Sequence, residues 1–401
     1  MLDFDVAQSR LAAAGKPPSI TEACSLNDAY GRVLGQTLFA TQDLPPADNS
    51  AMDGYAIRYD DYAPECVLPV QQRCYAGELP EALQAGKTIR LFTGSLMPEG
   101  ADTVVMQEDT VETDNMLQFR HIPVRGAHVR LRGEDVRAGD QLFAKGTVLG
   151  AAQIALLASQ GYAEVTVYAP LNIGILTTGD ELVPAGQPRS EEQIYNANGP
   201  MLAALAQAMG VRVRHVLHAQ DTMESLESAF STLLAECDLV LTVGGVSVGD
   251  KDLVKPAIEQ LGGTLDLWRV CMKPGKPVAL ATAQEKTIVC LPGNPVSAFA
   301  VFTLLVTPLI RQMQGRSNIM PAVQYGRIVT PDPLYEKREE FLRVQAAHDR
   351  AGLPALTPHP QQGSGIMSSL PWATGLARIP PATQVNDGDV VAYYDLQSWL
   401  A

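Results

Sequence analysis

Positive charge is in short supply in this sequence. Thirty Lys and Arg face 44 Asp and Glu over 401 residues, for a net charge of −14 and a pI of about 4.9. The average field of such a chain repels a polyanion and excludes general nucleic-acid binding. An anionic small ligand stays within reach only if basic side chains and backbone N–H groups gather locally. Cysteine is equally sparing: Cys24, Cys66, Cys74, Cys237, Cys271 and Cys290 form no C-x-x-C pair. That argues for a reducing compartment and against a disulfide framework or a zinc site. The histidines show no metal spacing, with His215 and His218 straddling an expected strand. No apolar run reaches the ~20 residues of a membrane span; the longest, Phe299 to Ile310, is interrupted by Thr303, Thr307 and Pro308. The opening MLDFDVAQSR is acidic where a signal peptide is basic and then apolar. A cytoplasmic protein without membrane or nucleic-acid partners is therefore expected. Internal repeats and low-complexity tracts are absent from the sequence as well.

What is present is core material: 46% hydrophobic residues and a mean hydropathy of +0.01 fit a globular chain of two to four domains at about 100–200 residues each. The middle alternates strands and helices. LNIGILTT (171–178) is a β-branched run ending in Gly179-Asp180, Asn198 is placed to cap a helix that stops at Gly210, and VRVRHVLH reads as a strand. Residues 222–236 have helical spacing, DLVLTVGG enters a glycine loop, 251–262 is helical, and strands near 277–282 and 286–291 precede a helix from Pro295 towards Gln314. This alternation predicts a doubly wound α/β domain over about 170–316, with a parallel-rich sheet covered on both faces. Residues 45–136, rich in Pro and Gly with short β-like pieces, predict a β-containing domain. The tail from about 320 predicts a small all-β domain with a turn at Asn386-Asp387-Gly388.

In an open α/β sheet, ligands bind beyond the carboxyl ends of the strands. The segments there are TTGDEL (177–182), AQD (219–221), GGVSVGDKD (244–252) and LPGNP (291–295). Gly244, Gly245, Gly249, Ser247 and Asp250 form a loop able to present N–H groups to a phosphate, although it matches neither a Walker loop nor a dinucleotide fingerprint. Beyond Pro292, Asn294 and Pro295 suit the start of a helix whose N-terminus attracts anions, with Ser297 in its first turn. Lys273 and Lys276 of KPGKP form a compact basic pair suited to an oxyanion. Asp180, Glu181, Asp221, Asp250 and Asp252 come from different strand ends. Carboxylates converging on a phosphate site need a divalent cation between them, and Mg²⁺ fits best.

At these residues the chain resembles the molybdopterin molybdenumtransferases, the MoeA family, which also includes the gephyrin E domain. PPADNSAMDGYA (45–56), TGSLMPEGADTVVMQED (93–109), LRGEDV (131–136), TTGDEL, GGVSVGDKD, KPGKP, LPGNPVSA and QQGSGIMSS (361–369) carry the resemblance, in order and along essentially the whole chain. It implies a homodimer of four-domain subunits: a discontinuous domain (1–44 and 137–169), an inserted β-containing domain (45–136), the α/β molybdopterin-binding domain (170–316) and a C-terminal β-barrel (317–401). It implies a site where the second domain faces the third and fourth of the partner subunit. Asp53, Thr93, Asp135, Glu181, Asp221 and Asp252 match functional positions, the last three as Mg²⁺ ligands. Asn198 and the glycine loop match substrate-binding positions, and Lys273, Lys276, Arg343 and Ser369 are the implied oxyanion contacts. The implied reaction inserts molybdate into adenylylated molybdopterin, with Mg²⁺-dependent cleavage of the pyrophosphate and release of AMP. A molybdopterin adenylyltransferase, or a non-catalytic scaffold or carrier, is the alternative reading. Partners in keeping with the resemblance are a molybdopterin adenylyltransferase and molybdoenzyme apoproteins. One departure stands out: Asn196, in IYNAN, occupies a position where relatives commonly carry Asp.

Overall fold

The computed structural model describes residues 1–245, 253–347 and 352–400. They form two compact units, one of Met1–Gly35, Gly146–Gly150 and Val165–Ala401, the other of Gln36–Lys145 and Ala151–Glu164.

The larger unit is built on a six-stranded sheet. In spatial order its strands are Arg212–Ala219, Asn172–Thr178, Leu239–Val243, Lys286–Leu291, Pro277–Ala283 and Thr264–Arg269. The first four run parallel, as the buried β-branched runs predict. Pro277–Ala283 runs antiparallel to Lys286–Leu291, and Thr264–Arg269 antiparallel to Pro277–Ala283; Thr264–Arg269 is an edge strand that sequence patterning does not reveal. Helices cover both faces. Ile173, Ile175, Leu241 and Val289 pack under the helices Phe4–Ala13, Asn198–Ala208 and Pro295–Met313. On the opposite face Leu176, Val240, Ile288 and Cys290 pack under Met223–Glu236 and Val254–Gln260. Full burial of each such side chain is worth about 1.5–3 kcal/mol, which explains why these runs hold the sheet in register.

One local feature differs from the sequence expectation. Asn198 begins the Asn198–Ala208 helix but does not cap it. Asn196 does: its Oδ1 accepts the Gly199 N–H at 3.1 Å, and its Nδ2 donates to Thr177 Oγ1 at 2.8 Å. The helix that starts at Pro295 runs on through Pro308, as the sequence predicts. A π-turn over Phe302–Val306 absorbs it, and the run Pro295–Met313 becomes a continuous apolar helix of 19 residues, 89% buried, long enough by length and composition to span a membrane. Proline has no N–H to give the Leu304 carbonyl, and Gln8 Nε2 from the first helix donates to that carbonyl at 2.6 Å.

The same unit ends in a closed five-stranded barrel. Glu339–Ala347, Ala355–Pro358, Gln324–Ile328, Val390–Asp395 and Gly375–Ile379 follow one another around it, and the last pairs back onto the first. Met272–Lys273 adds to the barrel as a parallel partner of Glu339–Glu340.

The smaller unit carries a six-stranded β-sheet in the order Thr103–Met106, Gly54–Ile57, Thr88–Leu91, Val67–Cys74, Met116–Phe119, Thr110–Thr113. Tyr55, Ile57, Leu68, Val105 and Leu117 fill one of its cores.

Candidate functional site

The strands Leu239–Val243 and Lys286–Leu291 deliver Gly244, Gly245, Pro292, Gly293 and Asn294 to the rim of a cavity of about 550 Å³. Lys273 to Pro277 form a second wall, and Arg338, Gln362, Gly363 and Ser364 a third. Gly244 and Gly245 adopt φ of +95° and +64°, a region costly for other residues. A Cβ on Gly244 would stand 2.9 Å from Thr178 Oγ1, and one on Gly245 2.4 Å from Val254 Cγ2, so the backbone there must stay bare. Asn294 holds the N-cap position of the helix without making a side-chain cap bond, and Pro295 follows at the helix start. Buried Ser297 also lines the cavity. Asn198 donates from Nδ2 to the Gly293 carbonyl at 2.7 Å, fixing the LPGNP loop. Its buried Oδ1 has no partner among the described residues. Ser247, Gly249, Asp250 and Asp252 lie outside the described residues.

The cations sort differently from the sequence expectation. Lys273 is clamped by Glu336 Oε2 at 2.6 Å and Glu340 Oε1 at 2.9 Å. Burial alone disfavours its ammonium, but the two carboxylates outweigh that and hold its pKa above the ordinary lysine value. The side chain of Lys276, three residues on and exposed, has no hydrogen bond or ion pair among the described residues, while its carbonyl accepts the Val270 N–H at 2.9 Å. Arg343 and Ser369 are not oxyanion contacts. Arg343 is 1% exposed and Ser369 fully buried. The guanidinium donates to Ser369 Oγ at 3.0 Å and to the carbonyls of Gln361, Gln362 and Gly363 at 3.0–3.1 Å. Arg343 therefore shapes the loop that forms the third wall, and Arg338 is the cation that the barrel presents there. Its Nη1 donates to the Met272 carbonyl at 3.1 Å, bracing it against the second wall.

The acids gather at adjacent strand ends. Asp180 and Glu181 follow Asn172–Thr178, and Asp221 follows Arg212–Ala219. The Asp221 N–H donates to Asp180 Oδ1 at 3.1 Å, which joins the two strand ends. Glu181 is exposed, and its carbonyl accepts the Ile194 N–H at 2.8 Å. Among the described residues no group of three or more acids, histidines or cysteines is placed to hold a metal ion. A donor set of one or two carboxylates completed by water and substrate oxygens is the habit of Mg²⁺, and Glu181 and Asp221 are carboxylates of adjacent strand ends.

In the smaller unit, Asp53 Oδ1 accepts both the Thr93 N–H and the Thr93 hydroxyl, each at 2.8 Å. The backbone N–H first and the hydroxyl second keep the Asp53 carboxyl below its ordinary pKa, so it is ionised at neutral pH. Asp135 is exposed, and its backbone N–H is bound by the Leu44 carbonyl at 3.0 Å.

Comparison with known proteins gives this arrangement a family. Residues 2–161 match the MoeA N-terminal region (domain I and II), 174–312 a probable molybdopterin binding domain, and 331–396 the MoeA C-terminal region (domain IV). A molybdopterin molybdenumtransferase of Haemophilus influenzae is 36% identical over 332 residues, 82% of each chain. The chain belongs to the molybdopterin molybdenumtransferase family. Another member, from Nostoc sp., is 38% identical over 80% of this chain and 76% of its own. The crystal structure of the molybdopterin biosynthesis MoeA protein of Pyrococcus horikoshii superimposes with a TM-score of 0.84, at 27% identity, over 98% of this chain and 100% of that one.

Two kinds of cavity-lining residue escape sequence reasoning. Gln362, Gly363 and Ser364 lie inside the QQGSGIMSS motif but reach the cavity only because Arg343 pulls their loop inward. Arg338 carries no sequence signal of its own. It enters the wall because Glu339–Glu340 pairs with Met272–Lys273, a contact 66 residues distant in the chain.

Proposed function

We propose that this chain is a molybdopterin molybdenumtransferase that completes the molybdenum cofactor by inserting molybdate into adenylylated molybdopterin, with release of AMP. The observation that carries the reading is the cavity at the carboxyl ends of the sheet. In a protein of net charge −14, it joins bare glycine backbone, a helix start and two cations, Lys276 and Arg338, that form no salt bridge among the described residues. Such a wall suits a tetrahedral dianion beside a phosphorylated ligand. Lys276 and Arg338 collect molybdate, while Lys273, balanced by Glu336 and Glu340, orders the KPGKP turn. Asn198 and the LPGNP loop position the pterin phosphates, and Asn198 Oδ1 offers an acceptor to the ligand. Glu181 and Asp221, with Asp252, would hold Mg²⁺, whose chemistry is to neutralise charge on the pyrophosphate. Ionised Asp53, with Thr93 and Asp135, completes the set in the smaller unit. Preorganised charge supplies most of the rate, because the reaction needs no protein nucleophile. A cytoplasmic homodimer is part of the same proposal.

The test is AMP release from adenylylated molybdopterin with Mg²⁺, with and without molybdate. Molybdate-dependent AMP and mature cofactor are the expected result. Pyrophosphate release from ATP with unmodified molybdopterin would assign the adenylyltransferase reading instead, and tight pterin binding without either product would leave a carrier.

A further inference from the structure

One buried cation in the smaller unit has no opposite charge bound to it. Arg90 is 8% exposed and forms no salt bridge among the described residues. Its guanidinium carbon lies 4.7 Å from the Tyr55 ring centroid and 5.2 Å from that of Phe92, and its Nη2 donates to Gln107 Oε1. The strand register traces the path of the side chain. Thr88–Leu91 and Thr103–Met106 flank Gly54–Ile57 on either side, with Arg90 opposite Tyr55 and Met106 opposite Gly54. The Gln107 N–H continues that ladder onto the Asp53 carbonyl at 3.1 Å. To reach Gln107, Arg90 therefore crosses the middle strand between Tyr55 and Asp53, which lie two residues apart on one face.

Gln107 also donates from Nε2 to Glu108 Oε1 at 3.0 Å, so a second carboxylate joins the same strand end. The two Thr93 bonds keep Asp53 below its ordinary pKa, and the Arg90 charge adds to them. Glu108 is lowered first by Gln107 and then by its own N–H; the Arg90 charge works in the same direction and the Asp53 charge against it. The neighbouring charges are engaged elsewhere. Arg73 pairs with Glu112, which also accepts the Tyr55 hydroxyl at 2.6 Å, Arg120 donates to the Glu108 carbonyl at 3.4 Å, and His121 faces Asp109 at 4.0 Å.

A guanidinium buried with a neutral amide as its hydrogen-bond partner is costly, and two aromatic rings offset only part of that. Such a charge is expected where it acts on a neighbouring group. We infer that Arg90 is a positioning residue for Asp53: its fixed positive charge holds Asp53 and Glu108 together at one strand end, where two carboxylates alone would repel. Under the proposed function, on which the catalytic meaning of this inference rests, Arg90 keeps Asp53 in the charged form that the site uses.

The test reads Asp53 directly in the full-length protein, by ¹³C NMR of aspartate labelled at Cγ, with Asp53→Asn identifying its signal. Loss of a fixed positive charge raises the midpoint of a nearby carboxyl. Arg90→Gln is expected to move the Asp53 titration to higher pH, and Arg90→Lys, which keeps the charge, to leave it in place. The acid limb of the pH profile for AMP release should follow the same order, whereas a merely structural role would lower AMP release equally at every pH. A folded Arg90→Gln with the wild-type midpoint overturns the inference, as does an Arg90→Lys midpoint shifted as far as that of Arg90→Gln. If Arg90→Gln does not fold, Arg90→Lys and Glu108→Gln decide. Glu108→Gln, which keeps an oxygen for Gln107, should move Asp53 to lower pH, and an unchanged midpoint there overturns the shared charge. An Asp53 midpoint that depends on Arg90 without molybdate-dependent AMP release would break the proposed function and keep the inference. Normal AMP release with a midpoint indifferent to Arg90 would do the reverse.

Discussion

The central sheet has a cavity at each end, and both are of ligand size. The one at the carboxyl ends holds about 550 Å³. The one at the amino ends holds about 380 Å³, between Lys16–Ile20, Ala169–Asn172, Asp238 and the Gln284–Thr287 hairpin. Volume does not separate them; chemistry does. At the amino ends Asp238 accepts from the Asn172 N–H at 2.9 Å and sits 3.4 Å from the Lys286 ammonium, so that pair cancels in place, and the other charged residues of the lining, exposed Lys16 and Glu285, are one of each sign. At the carboxyl ends Glu336 and Glu340 clamp Lys273, whereas Lys276 and Arg338 form no salt bridge among the described residues. Parallel strands produce this asymmetry, since every connecting loop that can open towards a ligand leaves from the same edge.

The comparison breaks most directly at the cations. A charge-assisted hydrogen bond is worth about 1.5–3 kcal/mol, so Lys276→Ala combined with Arg338→Ala should cut molybdate-dependent AMP release by about a hundredfold or more. A double variant within about threefold of the wild type would remove the oxyanion role from this wall. Arg343→Ala comes next, and its effect is on folding. It strands Ser369 and three carbonyls in the barrel, and urea denaturation should show a loss of about 2–4 kcal/mol. Undiminished stability would mean that the 361–363 loop needs no anchor. Asn196→Ala should cost about 1 kcal/mol by the same measurement, since it removes the cap on Gly199. Lys286→Ala at the amino ends should cost at most about 1 kcal/mol and leave AMP release within about twofold. A large catalytic loss there would reverse the ranking of the two cavities.

A pH profile sharpens the same contrast. Bonding to Lys273 lowers the Glu336 pKa, and the two carboxylates, against burial, raise that of Lys273. The Glu336 contribution is present above the unfolded carboxyl value, about 4.5, and fades as pH falls through its lower folded value. The Lys273 contribution is present below the unfolded lysine value, about 10.4, and fades as pH rises through its higher folded value. The clamp therefore stays intact between about pH 6 and 9. Molybdate affinity measured by calorimetry over that range should show no step that Glu336→Gln abolishes.

Much of this was legible in the sequence, and what was not has one cause. Buried β-branched runs bounded by Gly and Asp announce the parallel strands, and the glycine and LPGNP loops fall at their carboxyl ends because the fold leaves them nowhere else. Lys273 and Lys276 look equivalent in KPGKP, and only the barrel strand carrying Glu340 tells them apart. Arg343 looks like a ligand and is an internal brace. Asn196 and Asn198 are both good caps, and the choice between them was made by Thr177, on another strand. The antiparallel edge strand Thr264–Arg269 has no helix before its partner to signal it. In each case the deciding neighbour is remote in the chain.

The single bond from Gln8 to Leu304 reaches across 296 positions. During synthesis the first helix emerges early, while the apolar rod it covers appears only when three-quarters of the chain has left the ribosome. The cover is thus made before the segment that it covers. A version truncated at its beginning would leave bare the face of that rod that Phe4–Ala13 packs against.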